Sequence, residues 1–458
     1  MADAMPPVSR IEQLDAQGQN ARLSRLYTQL CFCFPMVDTD PQAISDFHRF
    51  LEDALKRLTL GFPWVAGHVV DEASVFKIKL SGGLPALSVK DLRTQLPSFH
   101  EYQAKSFPFY MLDEEIIAPR RTIPERFDDP APVLLVQASI VIGGVLLVIN
   151  GQHNCMDIRG QAQIINLLAK ACRNEEYTRD ELRLGNLPRA DIIPLLEHED
   201  PSAAEPAVPH NGTSVTSTVS FGDSNTVPQC TWAYFLFSRS ALAELKTLAA
   251  KSMTADYVST DDVLSALVWQ AVTRARHTRF ESGNATSKFD RQVDARRYLD
   301  IPSEYTGNVV HKVTSKLAVH DVLEMSLGAL ASHLRTSLQD ADITHDVRLA
   351  ATKAHRATIA SQTWSPQYTS STTRGMLPPT DVRISSWVKE DCHHLDFGRV
   401  LGRPEAVRRP SFPAWEGLVY LLPKKPDGEV AVALCLRDED LEALKRDDAF
   451  TKFCSYIG

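Results

Sequence analysis

The stretch that most limits how this chain can fold is VLLVQASIVIGGVLLVI, residues 133–149. A run this apolar belongs either in a membrane or inside a sheet. Gln137 and Ser139 interrupt it, Gly143-Gly144 cuts it, and Val and Ile dominate it. It also falls short of a comfortable membrane span. Two buried strands joined by a Gly-Gly turn account for all of these features, so a sheet is expected and a membrane helix is not. The run then leads into an abrupt change of character. VINGQHNCMDIRGQAQIINLLAK, residues 148–170, begins as a β-branched strand and ends as an amphipathic helix. His153 and Asp157 lie between the two, four residues apart.

A chain of 458 residues exceeds one ordinary core, so two halves are expected. The boundary is marked by EHEDPSAAEPAVPHNGTSVTSTVSFGDSNTVPQ, residues 197–229, rich in Pro, Ser, Thr, Gly and Asn and without an apolar period. This divides the chain into an N-terminal subdomain over 1–196, a crossover linker, and a C-terminal subdomain over 230–458. A net charge of −8 gives no basic footprint for nucleic acid. The N-terminus lacks the charged-then-apolar pattern of a secretion signal, which points to the cytoplasm. Eight scattered cysteines include no CxxC pair and suggest reduced thiols, with no metal site. Cys31 and Cys33 alternate within LCFCF, which as a strand places them on one face.

Elsewhere, helices and strands alternate. Residues 40–62, 160–173, 239–253 and 259–276 carry helical patterns, the last capped by Ser259 or Thr260 with acids in its first turn. TWAYFLFS, GLVYLLP and EVAVALCLR read as strands, and DEDLEALKRDDAFTKFC as one closing helix. The expected class is α/β, with a mixed sheet in each half.

A histidine leaving a strand and entering a helix is held by rigid elements while its ring can face a cleft. Imidazole is suited to general-base work because its ordinary pKa lies near neutral pH. An acid four residues on can orient the ring or hold the loop through another partner. As a bare pattern HxxxD is weak, because about one is expected by chance in a chain of this size. A satisfied polar loop explains it equally well.

Three further segments accompany it in order. They are YVSTDDVLSALVWQAVTRAR, then VDARRYLDIPSEYTGNVV, then SSWVKEDCHHLDFGRVLGRPEAVRRP. Together with GGVLLVINGQHNCMDIRGQ they resemble the motif series of the BAHD family of coenzyme A-dependent acyltransferases. The resemblance extends over nearly the whole chain, including the Leu23–Tyr27 opening. The last motif departs from the DFGWG of plant members, reading Asp396-Phe397-Gly398-Arg399-Val400-Leu401-Gly402. That spacing is closer to the fungal branch that includes trichothecene 3-O-acetyltransferase, and Arg399 stands where plant members carry Trp.

The resemblance implies two similar-sized subdomains of the chloramphenicol-acetyltransferase-like type, with an active-site channel between them. It makes His153 the general base of acyl transfer from acetyl-CoA, or another acyl-CoA, to a hydroxyl of a small hydrophobic acceptor. It turns Asp157 away from the histidine toward an arginine, Arg296 first and Arg297 second, and makes Asp396 and Gly398 structural. Ser259, Thr260, Ser385 and Ser386 read as helix caps or loop residues, with contact to the coenzyme's pantetheine arm as the functional alternative. His393 and His394 are expected on a surface or loop, and Arg403, Arg408 and Arg409 on a solvated face, with the CoA phosphates as the alternative. Cys155 invites a covalent route, but direct transfer in a ternary complex is expected. A monomer is expected, without metal, nucleic acid or membrane. Two competing readings are condensation on a carrier-bound thioester and a non-catalytic metabolite-binding relative.

Overall fold

The computed structural model describes residues 11–36, 41–80, 82–124, 131–197, 228–280, 285–361 and 378–458, so the expected linker lies almost wholly outside it. The apolar run forms an antiparallel hairpin, Leu134–Val141 against Gly144–Gln152. The turn residues are Ile142 and Gly143, not Gly143 and Gly144; Gly143 takes φ +79° and Gly144 already opens the second strand. Tyr27–Pro35 pairs antiparallel with Gly144–Gln152, and Ala86–Asp91 runs parallel beside Leu134–Val141.

The hairpin shows no polar alternation because both faces of the sheet are covered. Leu147, Ile149, Phe32 and Phe34 pack toward the helices Pro41–Gly61 and Ile158–Cys172. Leu146, Val148, Cys31 and Cys33 pack against Phe99, Tyr102, Leu112 and Ile117. The Cys31 and Cys33 sulfurs lie 3.9 Å apart on that second face, unpaired like the other six cysteines.

The remaining edge of this five-stranded sheet comes from the other half of the chain. Ala406–Arg408 pairs antiparallel with Cys31–Cys33. The second large sheet has seven strands, in the order Val310–Ala318, Thr286–Asp294, Val382–Ser386, Leu418–Leu421, Val430–Arg437, Cys230–Phe237 and Ser455–Tyr456. Its parallel and antiparallel pairings make it mixed. Along Cys230–Phe237 the two-residue period separates two cores. Ala233, Phe235 and Phe237 face the helices Arg239–Ala250, Thr260–Arg276 and Leu327–Asp340, whereas Trp232 and Tyr234 face the N-terminal core. The second sheet therefore serves as a wall shared by both halves.

Two features depart from expectation. A small antiparallel sheet of Ile11–Gln13, Val75–Lys79, His68–Glu72 and Ala131–Pro132 was not anticipated, because its strands are short and carry no apolar run. The single closing helix is broken into Asp438–Leu444 and Asp448–Thr451. Asp447 makes the break by accepting the Ala449 N–H through its carboxylate, a cap that competes with helix continuation.

Candidate active site

His153 is the first residue beyond the strand Gly144–Gln152. Its N–H donates to the Leu26 carbonyl at 2.8 Å, and its carbonyl accepts from the Asn308 side-chain amide at 2.9 Å. The two halves of the chain thus fix the backbone on either side of the ring. Nδ1 is sealed and has no hydrogen-bond partner, whereas Nε2 is not sealed and the residue keeps part of its surface accessible. Burial holds the imidazole below its ordinary pKa, and the Arg409 charge acts in the same direction. The Asp157 charge opposes them without prevailing. The ring is therefore neutral at pH 7, the form a base requires.

Asp157 makes no bond to the histidine. It caps the helix Ile158–Cys172, with Oδ1 accepting from the Gly160 N–H at 2.8 Å. The same carboxylate takes the Arg296 guanidinium in a two-pronged pair, Nη2 to Oδ1 and Nη1 to Oδ2, each at 2.9 Å. The Val309 N–H adds a further bond to Oδ2 at 2.9 Å. Both side chains are buried, and Arg296 spends its remaining donors on the carbonyls of Tyr305 and Gly307 and on Asp294. Arg297, by contrast, lies on the surface and contacts the Tyr298 hydroxyl.

The segment Tyr305–Val309 is the partner that sequence reasoning quoted without assigning work to it. Besides Val309 and Asn308, its Tyr305 hydroxyl and Asn308 N–H both donate to Asp15 Oδ2 at 2.9 Å, and Gly18 N–H donates to Oδ1 at 2.7 Å. Asp15 is fully buried, and desolvation outweighs these bonds and the Arg189 charge, raising its carboxyl to about 6. Nothing in EQLDAQGQN marks this aspartate as special. Gly160 completes the junction, because a Cβ there would sit 2.2 Å from the Thr306 carbonyl oxygen.

The other predicted residues are dispersed. Asp396 folds back on its own turn, accepting the Gly398 N–H at 2.8 Å, and its carbonyl accepts from Arg173. Gly398 sits at φ +82°, and Phe397 is buried against Phe32 and Phe34 with ring centroids 5.6 and 5.3 Å away. Arg399 is exposed. Ser259 caps its helix in a reciprocal arrangement with Asp262, and Thr260 is exposed. The Ser385 hydroxyl accepts from the Trp387 indole at 2.9 Å, and the Ser386 hydroxyl donates to Asp261 at 2.5 Å.

Two expectations are corrected. His393 is buried, not at the surface, and desolvation lowers its pKa to about 3; His394 is exposed. Arg408 and Arg409 are buried, while Arg403 is exposed. Strand pairing draws Arg408 in, opposite Cys31 in the covered sheet, and Arg409 is buried among the Phe412, Tyr420 and Trp387 rings. Cys155 is also fully buried, and burial pushes its thiol far above the usual range, which removes it as a nucleophile. Among the described residues no group of His, Cys, Asp and Glu is placed to hold a metal, and no helix is long and apolar enough to cross a membrane.

A strand-end histidine is thus held by backbone contacts from both halves of an α/β chain. Comparison with known proteins narrows this. Residues 26–172 match the trichothecene 3-O-acetyltransferase-like N-terminal domain. O-acetyltransferase dmxR13 of Cryptosporiopsis sp. (strain 8999) is 44% identical, with 97% of each chain covered. Trichothecene 3-O-acetyltransferase TRI101 of Fusarium sporotrichioides is 39% identical, again over 97% of each chain. The crystal structure of that TRI101 with coenzyme A and T-2 superposes with a TM-score of 0.85, covering 98% of this chain and 100% of the other at 38% identity. Vinorine synthase, at 16% identity and a TM-score of 0.68, shares the fold. The chain belongs to the trichothecene 3-O-acetyltransferase-like family of BAHD-type acyltransferases, and it is an acyltransferase.

Proposed function

We propose that this chain transfers an acyl group, most readily acetyl, from acyl-CoA to a hydroxyl on a hydrophobic secondary metabolite. It does so with His153 as general base, acting as a monomer in the cytoplasm. The observation that carries this reading is the setting of the His153 ring, fixed through the backbone by both halves, with one nitrogen sealed and the other open. Relatives named as O-acetyltransferases support the substrate class, as does a related structure holding coenzyme A and T-2 together.

In this mechanism the open Nε2 accepts the proton of the acceptor hydroxyl. The oxygen attacks the thioester carbonyl, and the carbonyl π electrons move to its oxygen. Collapse of the tetrahedral species re-forms the carbonyl and breaks the C–S bond. The departing thiolate then takes the proton from the imidazolium. No covalent enzyme intermediate forms, in keeping with the inert Cys155. Asp157 and Arg296 hold the loop and stay out of the proton path.

The test is His153→Ala, assayed with acetyl-CoA and a panel of alcohols by release of free CoA thiol, with circular dichroism as the fold control. A folded variant with turnover reduced at least about 10³-fold is expected. Acetylation at the parent rate would overturn the assignment.

A further inference from the structure

The proposed chemistry needs a donor for the negative oxygen of the tetrahedral species. Arg296 is the obvious cation, but all its donors are taken. One buried cation nearby is uncommitted. The Arg409 side chain is 3% exposed and makes no hydrogen bond or ion pair among the described residues. Its neighbour Arg408 differs, with both Nη atoms bonded to the Val407 and Ser106 carbonyls.

The surroundings of Arg409 are built. Its guanidinium stacks over Phe412 at 4.1 Å, Tyr420 at 4.5 Å and Trp387 at 5.6 Å from the ring centroids. Its backbone is pinned as well, with the Tyr234 hydroxyl bonded to both its N–H and its carbonyl at 2.9 Å. Nε is sealed without a partner, but neither Nη nitrogen is. Each Nη nitrogen therefore keeps a little accessible surface. Aromatic faces stabilise a guanidinium without using its N–H bonds, leaving them free for an oxygen.

Its position is fixed by strand register. Ala406–Arg408 pairs with Cys33–Cys31, and Arg409 is the next residue, continuing toward the Tyr27 end of that strand. The same strand begins at Tyr27, opposite Gln152, and the His153 N–H bonds to Leu26. Arg409 and His153 thus follow the two strands that pair with either side of Tyr27–Pro35, both running toward its Tyr27 end, and the guanidinium charge acts on the imidazole.

We propose that Arg409 is a catalytic residue whose open Nη donors hold the thioester carbonyl oxygen as it becomes negative. This rests on the acyl-transfer reading above. In the resting site the charged groups acting on His153 are Asp157, which favours the imidazolium, and Arg409, which opposes it. Glu114, which also feels Arg409, already accepts the Thr122 N–H at 2.6 Å. A fixed cation beside a base that must become cationic slows the reaction unless an anion forms with it. The tetrahedral oxygen is that anion. The opposition then disappears where the barrier lies, which is the differential binding catalysis requires.

The test compares Arg409→Met, which keeps length and apolar contact, with Arg409→Lys, which keeps charge in the cage. For Met, a kcat loss of about 10²–10³-fold is expected, the size of a lost oxyanion donor, with KM for both substrates within about threefold. Lys should recover part of it. The His153 pKa, followed by NMR of ring-labelled histidine, should rise in Arg409→Met, a readout that needs no turnover and survives failure of the acyl-transfer reading. Three results would each overturn the proposal: kcat within threefold of parent in a folded Met variant, a loss appearing wholly in KM, or a kcat loss with the His153 pKa unmoved.

Discussion

Breaking the Asp157–Arg296 pair separates a brace from a proton carrier. In Asp157→Asn the shape and the helix cap survive, since Asn caps about as well as Asp. The charge does not, and the new amide hydrogens meet the N–H fork of a guanidinium that is itself buried. A buried pair broken on one side costs about 3–5 kcal/mol. Arg296→Met should reach the upper end or exceed it. It strands the Asp157 carboxylate and also removes the donor from the Tyr305 and Gly307 carbonyls, each worth about 1 kcal/mol. The double variant leaves no unpaired charge, so it should be less damaged than the sum of the singles by at least about 2 kcal/mol. Urea unfolding followed by tryptophan fluorescence measures this, with kcat from thiol release on the same samples. An Asp157→Asn variant that unfolds at the parent midpoint yet loses kcat by about 10³-fold would refute the reasoning. It would place the carboxylate in the chemistry.

Other expectations follow from the same contacts. Because burial lowers the His153 pKa, the acid limb of kcat/KM should lie below the ordinary histidine value of 6.5, and a pH–rate profile reads it directly. Asp15 has the opposite sign. Its folded value of about 6 exceeds the ordinary 3.8, so between these values the native chain keeps a proton the unfolded chain has lost. Its contribution to stability falls by about 3 kcal/mol as pH rises through that window, and Asp15→Asn should flatten that part of a pH series of unfolding midpoints. Gly160→Ala drives a methyl group into the Thr306 backbone, with an expected cost of about 1–3 kcal/mol and a larger loss of kcat than of stability. Matched unfolding and turnover assays check this.

What the sequence revealed and what it hid have physical causes. The hairpin was legible because a strand covered on both faces reads as an unbroken apolar run, as in Leu146–Ile149, and the long helices because one buried face leaves a helical period, as in Ile158–Cys172. The small sheet left none, since its strands are too short to carry a period. His153 and Asp157 were visible as a motif, but their division of labour depended on a family resemblance, as HxxxD alone says nothing of where either side chain turns. Asp15 and Arg409 were invisible for another reason. Each acquires its role from partners far along the chain, Tyr305 and Asn308 for one, Tyr234 and the strand Tyr27–Pro35 for the other. Arg409 was even expected in solvent, because a run of arginines reads as a polar surface until strand pairing buries it.

That strand pairing has a consequence for how the chain is made. Tyr27–Pro35 leaves the ribosome long before Ala406–Arg408, which closes its outer edge. At ordinary synthesis rates the gap is on the order of tens of seconds. Throughout it the nascent sheet offers an open, strongly apolar edge of Cys31, Phe32 and Cys33 to any passing strand. A chain truncated before residue 406 would keep that edge indefinitely, and its hazard is aggregation as much as lost activity. The interlocked halves thus make a late-synthesised strand a quality check on an early one.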